Sequence, residues 1–214
     1  MKKKNVVEVD LDEFEKAYEK YAAECEAAMR LALDKIQNLS EAIDRSGNRN
    51  PFDRIESRIK TFKSVKGKCE NRECGYTYEA IRETIKDVAG IRIITKYTDE
   101  IDLVKDMIKK IPGISVEKEK DYVREPKPNG YQSLHLDCRI EIYDPYNGSQ
   151  FVPVEIQIRD KAMNLWATLE HDLKYKNENP SPEVEEMFRD ASKILHDFAM
   201  KAIHLRDYGE TTEN

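Results

Sequence analysis

Two alternating runs decide the fold: Ser133-Leu-His-Leu-Asp-Cys-Arg-Ile-Glu-Ile142 and Val152-Pro-Val-Glu-Ile-Gln-Ile-Arg159. In the first, Leu134, Leu136, Cys138, Ile140 and Ile142 share one parity, and Ser133, His135, Asp137, Arg139 and Glu141 share the other. In the second, Val152, Val154, Ile156 and Ile158 alternate with Glu155, Gln157 and Arg159. Successive side chains on a strand point to opposite faces, so each run has an apolar and a polar face. The link holds Asp144-Pro145 and Asn147-Gly148, both turn signals. The pair reads as an antiparallel hairpin with its apolar face on a core. Its polar face gathers a histidine, a carboxylate, an amide and a guanidinium.

Outward from the hairpin, the spacing predicts helices and a few strands. Leu11, Phe14, Tyr18, Tyr21, Cys25, Ala28, Ala32, Ile36, Leu39 and Ile43 recur at steps of three and four, giving one long helix from Asp10 to Ile43. Phe52 to about Lys68 reads as a second helix with Ile55, Ile59, Phe62 and Val65 inward. Its outer faces carry Arg54, Arg58, Lys60, Lys63, Lys66 and Lys68, and residues 69–77 follow as a loop. Then come a short helix over 78–86, a strand around Ile91–Thr95, a helix over 99–110 stopped by Pro112-Gly113, and an edge strand over 114–121. The segment VREPKPNGYQSLHL holds two prolines and Asn129-Gly130, and must loop before it delivers Lys127 and Tyr131 to the hairpin. Lys161–Lys176 is a helix with Ala162, Leu165, Leu169 and Leu173 inward, and Trp166 in the core; Asn177–Pro180 breaks it. Ser181 and Pro182 start a last helix to about Asp207, with Val184, Phe188, Ala191, Leu195, Phe198, Ala202 and Leu205 as its stripe. That stripe is a natural partner for the N-terminal one, and the tail GETTEN frays. The expected class is α+β: a mixed, mainly antiparallel sheet flanked by helices, with long N- and C-terminal helices. The boundaries read as an N-terminal helical segment (1–48), a central domain (49–177) and a C-terminal helix (178–214).

Composition narrows the function. Among 214 residues, 39% are hydrophobic and 36% charged, and the net charge of −6 argues against a general nucleic-acid binder, so RNA binding is not indicated. No apolar run approaches the ~20 residues of a membrane span, and the basic MKKK start is not followed by an apolar segment, so no secretory signal is expected. Cys25 and Cys138 fall at apolar-face positions. Cys69 and Cys74 have a C-x4-C spacing without the further ligands of a zinc site. A reducing, cytoplasmic setting fits this usage. Two carboxylates at strand positions, Asp87 and Glu155, beside many Lys and Arg, suit a magnesium ion shared with substrate phosphates.

Five segments in order, RIK (58–60), KDVAGIRI (86–93), KPNGYQSLH (127–135), VEIQIR (154–159) and NLWATLEHDLKYK (164–176), resemble the synthetase domain of RelA/SpoT-type alarmone enzymes. The resemblance covers roughly residues 50–177 and implies a nucleotidyltransferase-like synthetase fold. It implies a GTP diphosphokinase, moving pyrophosphate from ATP to the ribose 3′-hydroxyl of GDP or GTP to give the stringent-response alarmone (p)ppGpp and AMP. By motif, it implies that Asp87 and Glu155 bind Mg2+, with Glu155 also taking the hydroxyl proton. Arg58 and Arg92 would clamp adenine, and Lys60 and Lys68 would hold the ATP phosphates. Tyr131 would stack on guanine, with Lys127, His135, Gln157 and Asn164 on the acceptor and Glu170 supporting the site. Members of this size often form tetramers through their terminal helices. Two other readings keep the residues but change the role: a toxin-like enzyme using an adenine nucleotide or a tRNA 3′ end as acceptor, and a catalytically idle nucleotide- or RNA-binding module.

Overall fold

The computed structural model describes residues 11–146, 148–176 and 181–212. The basic start, Asn147 and the 177–180 break lie outside the described residues. Five strands form one sheet: β1 (Phe52–Ile59), β2 (Ala89–Thr95), β3 (Ile114–Asp121), β4 (Leu134–Asp144) and β5 (Gly148–Asp160). Their order is β1-β2-β5-β4-β3, with only β2 and β5 parallel. Six helices are described: α1 (Leu11–Arg45), α2 (Phe62–Asn71), α3 (Tyr78–Thr84), α4 (Glu100–Lys109), α5 (Lys161–Lys176) and α6 (Pro182–Thr212).

The hairpin forms as its alternation requires. Leu134 pairs with Ile158, Leu136 with Ile156, and Cys138 with Val154, all buried. On the opposite face, His135 pairs with Gln157 and Asp137 with Glu155. A one-residue slip would turn every apolar side chain outward, so burial of one face fixes the register of the other. The core side is covered by α1, which lies across β1, β2, β4 and β5 and against α3. Phe14, Tyr21, Cys25, Ala28, Ala32 and Ile36 are buried along its length.

Three expectations fail, each for a physical reason. Residues 52–59 are an edge strand rather than helix, and the helix begins only at Phe62, capped by the Thr61 side chain, and runs through the expected loop to Asn71. A bulge between Phe52 and Arg54 inserts one residue, so Phe52 and Ile55 both turn to the core three positions apart. That spacing imitates a helix. Second, α1 and α6 do not pair; α1 spends its stripe on the sheet, and α6 packs on α5. Third, the leucines of α5 face outward: Leu165, Leu169 and Leu173 are each about half exposed, while Met163 and Trp166 are buried. Phe198 and Leu205 of α6 are 67% and 73% exposed, whereas Ser192 and Ile203 point in. A period shows that a stripe exists, but not which side the sheet lies on. The expected fraying of the tail does not hold for residues 209–212, which belong to α6; the last two residues lie outside the described ones.

Ile156 is fully buried on the central strand, between β2 and β4. Truncation to Ala should cost about 2–5 kcal/mol in denaturant unfolding, since the surrounding sheet cannot collapse into the void.

Candidate active site

The polar face of the sheet is the site. Glu155 stands on β5 opposite Gly90 of β2, and Asp87 lies three residues before that glycine. Both carboxylates line the same cleft, together with Arg58, Lys60, Arg92 and Gln157. They also border a second cavity of about 310 Å³ on the other side, lined by Arg72, Lys86, Lys118, Lys120 and Arg139 against Glu117 and Asp137. The acidic pair therefore sits between two basic-walled hollows, on one side of the sheet.

Asp87 is held by two ammonium groups. Lys60 Nζ donates to Asp87 Oδ2 at 3.1 Å and to its carbonyl at 2.9 Å, and Lys68 Nζ donates to the same Oδ2. Burial raises the carboxyl pKa, but the hydrogen bond from Lys68 and the charge of Lys60 outweigh it, and the net shift is downward. The partner Lys60 is pushed down, chiefly by its own burial. Asp87 Oδ1 is buried without a hydrogen-bond partner among the described residues. A buried carboxylate oxygen without a donor is costly unless something else fills the place. It suits a hard cation.

Glu155 belongs to a closed ring of five side chains. His135 Nδ1 meets Glu155 Oε1 at 3.2 Å, and His135 Nε2 meets Tyr131 Oη at 2.8 Å. Arg159 Nη2 donates to Tyr131 Oη at 2.6 Å and to Gln157 Oε1 at 2.8 Å, and Gln157 Nε2 returns to Glu155 Oε2 at 2.6 Å. The donor inventory fixes most of the directions. A carboxylate only accepts, so Nδ1 carries a proton, and a guanidinium only donates, so Gln157 must turn its oxygen to Arg159. Burial pushes the Glu155 carboxyl up, but the bonds from His135 and Gln157 overcome it and hold it at about 2.

Arg58 and Arg92 stand on adjacent strands across the cleft, where Arg58 is in register with Gly90 and Arg92 with Glu56. Arg92 is paired to Glu56 at 3.4 Å, and its Nε is buried without a partner among the described residues. Lys127 is exposed, with its ammonium 4.7 Å from the Tyr122 ring and 4.9 Å from the Tyr131 ring.

The structure thus brings Asp87, Glu155, Arg58, Lys60, Lys68, Arg92, Gln157, His135, Tyr131 and Lys127 around one polar surface. Asn164 and Glu170 stand apart on α5. Glu170 accepts from Asn129 Nδ2 at 2.8 Å, and Asn164 Oδ1 is buried without a described partner. Trp166 is core, as expected, donating to the Phe188 carbonyl at 2.8 Å. Sequence reasoning put Arg139 and Arg159 on the polar parity but gave them no role, and it missed the basic wall that Arg139 forms with Lys118 and Lys120. Arg139 and Arg159 share the parity of His135 and Gln157, so the alternation already carried the signal. The basic helix face over 52–68 does not exist as such: Arg54 and Arg58 are on β1, and Lys60 and Lys68 converge on Asp87. Cys69 is buried, and no cluster of three or more His, Cys, Asp or Glu suited to a metal occurs among the described residues.

The depressed Glu155 pKa has a defined sign. A carboxyl lowered in the folded state stabilises the protein fully above its ordinary value of about 4.5, and that contribution is lost as pH falls toward about 2. The gap in unfolding free energy between wild type and Glu155→Gln should shrink as pH drops through that window. A gap independent of pH in denaturant titrations would contradict the assignment.

Comparison with known proteins places the chain among relatives of one family. The family model described as "Region found in RelA / SpoT proteins" matches residues 57–180. The chain is 36% identical over 172 residues to the GTP pyrophosphokinase YwaC of Bacillus subtilis, covering 78% of this chain and 81% of that protein. It is 32% identical over 169 residues to YjbM of the same organism, also a GTP pyrophosphokinase, covering 79% and 78%. Among solved structures, the small alarmone synthetase 1 of Bacillus subtilis bound to its product pppGpp superposes with a TM-score of 0.82 at 28% identity, covering 90% of this chain and 98% of that one. Small alarmone synthetase 2 of Bacillus subtilis gives 0.79 at 31% identity, covering 89% and 98%. From motif order, sheet topology and these likenesses together, the chain belongs to the RelA/SpoT family.

Proposed function

We propose that the protein is a GTP pyrophosphokinase, transferring the β,γ-pyrophosphate of ATP to the ribose 3′-hydroxyl of GDP or GTP with release of AMP. The observation that carries this reading is the placement of Asp87 and Glu155 on one polar face between two cation-lined cavities. An acidic pair flanked by basic walls on both sides suits two polyphosphate substrates meeting over a shared divalent ion.

Asp87, through its unpartnered Oδ1, and Glu155 would hold a magnesium ion, which when bound supplies charge neutralisation to the donor phosphates. Arg58 and Arg92 present flat guanidinium groups across the cleft, suited to an adenine ring. Lys60 and Lys68 leave Asp87 for the phosphates of ATP as these arrive, exchanging one anionic partner for another. Tyr131 offers its ring to guanine, with Lys127 beside it. His135 and Gln157 keep Glu155 ionised and oriented. As the 3′-hydroxyl attacks, it becomes acidic and Glu155 takes its proton, a late transfer that a carboxylate of low pKa can still accept.

The exposed apolar residues of α5 and α6, Leu165, Leu169, Leu173, Met187, Ile194 and Phe198, support homo-oligomer formation through these helices. The N-terminal stripe is consumed within the chain and is not available for it. No described helix is long and apolar enough to cross a membrane, and all four cysteines are free thiols; both features are consistent with a cytoplasmic setting.

Incubation with ATP, GDP or GTP, and magnesium should give AMP and a more highly phosphorylated guanine nucleotide. Asp87→Asn and Glu155→Gln should each lower turnover by about 10²-fold or more. Absence of AMP with either guanine acceptor, or turnover only with an adenine nucleotide or tRNA, would overturn the assignment. Phe198→Glu paired with Leu169→Glu should convert the assembly to monomers in light scattering, with an unchanged circular dichroism spectrum.

A further inference from the structure

The loop that carries Tyr131 is short and stiff. Lys127 N–H donates to the Tyr131 carbonyl at 3.1 Å, Gly130 N–H donates to the Lys127 carbonyl at 2.8 Å, and Tyr131 N–H donates to the Asn129 side chain at 3.2 Å. A loop closed on itself in this way moves as one body. What sets its position is what holds that body from outside.

His135 and Arg159 hold the Tyr131 hydroxyl at one end, and two side chains of the C-terminal helices hold the Asn129-Gly130 end. Glu170 of α5 accepts from Asn129 at 2.8 Å. Ser192 of α6, itself buried, donates its hydroxyl to the Gly130 carbonyl at 2.6 Å. The fit at Gly130 is close. Its φ is +92°, and a Cβ there would stand 2.8 Å from Ser192 Cβ and 3.4 Å from Arg189 Cα. The loop backbone thus rests on one turn of α6, where only glycine allows both the conformation and the contact.

We infer that Ser192 is a positioning residue for the acceptor nucleotide, seating the Tyr131 loop on α6. The inference rests on the reading of Tyr131 as the platform for the acceptor base. It assigns work to a helix that lies wholly beyond the residues matched by the family model, 57–180. The donor-side cleft of Arg58, Lys60 and Arg92 is lined by neither Gly130 nor Ser192, so loss of the seat should fall mainly on the acceptor.

Steady-state kinetics with Ser192→Ala, Ser192→Thr, Tyr131→Ala and wild type form the test. Ser192→Ala, which removes one hydrogen bond, should raise the KM for the guanine acceptor by about fivefold, with the KM for ATP and the melting temperature nearly unchanged. Ser192→Thr retains the donor and should recover part of that loss. Tyr131→Ala should raise the acceptor KM further. Fluorescence anisotropy of a labelled GDP should follow the same order without depending on turnover. If Tyr131→Ala raises the acceptor KM and Ser192→Ala does not, the seat is refuted and the Tyr131 reading stands. If neither changes it, both fall. Equal losses for ATP and acceptor, with a lowered melting temperature, would mark Ser192 as structural and also overturn the inference.

Discussion

The closed ring of hydrogen bonds through Glu155, His135, Tyr131, Arg159 and Gln157 is the constraint on which the site depends. Each member satisfies its neighbours, so none can rotate without leaving another unpaired in a partly dry setting. A network in which every polar atom has a partner rigidifies its surroundings, whereas one missing member makes the rest costly. Four of the five ring members come from the hairpin strands β4 and β5, and the fifth comes from a loop. The ring therefore ties the loop to the sheet. It also explains how a half-buried glutamate remains charged: burial opposes ionisation, and the two donors aimed at its oxygens reverse the balance.

Asp87 uses a different device. It has no ring; it has two lysines from separate elements, one at the end of β1 and one on α2. The ion pairs are partly shielded, so they are stronger than surface pairs, yet they remain open enough to be exchanged. One acid is therefore fixed by a ring of hydrogen-bonded side chains, and the other is compensated by two ammonium groups. The asymmetry matches the proposed roles, in which Glu155 serves the acceptor as base and Asp87 the donor phosphates.

The hairpin, the buried parity and most of the polar face were legible because period-two alternation is unambiguous over eight or more residues. The opposite face of that alternation contained Arg139 and Arg159 as plainly as His135 and Gln157. The strand over 52–59 was not legible, because a bulge shifted its parity and produced the three-residue spacing of a helix. The inward sides of α5 and α6 were not legible either. Each carries apolar residues on more than one side, and what lies opposite is set by the tertiary fold. Ser192 gave no local signal at all, since a serine in a polar helical stretch is ordinary until a loop from 62 residues earlier arrives beside it.

Two tyrosines of α1 reach through the core to backbone that flanks the acids. Tyr18 donates to the Lys60 carbonyl at 2.6 Å, and Tyr21 to the Ile85 carbonyl at 3.0 Å, while Lys60 N–H is bound to the Val88 carbonyl at 2.8 Å. The N-terminal helix, which carries none of the recognisable motifs, therefore braces the backbone beside Asp87 from behind, as α6 holds the Tyr131 loop from the flank. The motif block is consequently not a self-sufficient machine. A fragment cut to its limits would retain every signature residue and lose the scaffolding that aims them, so in this architecture the smallest competent unit is considerably longer than the segment by which it is recognised.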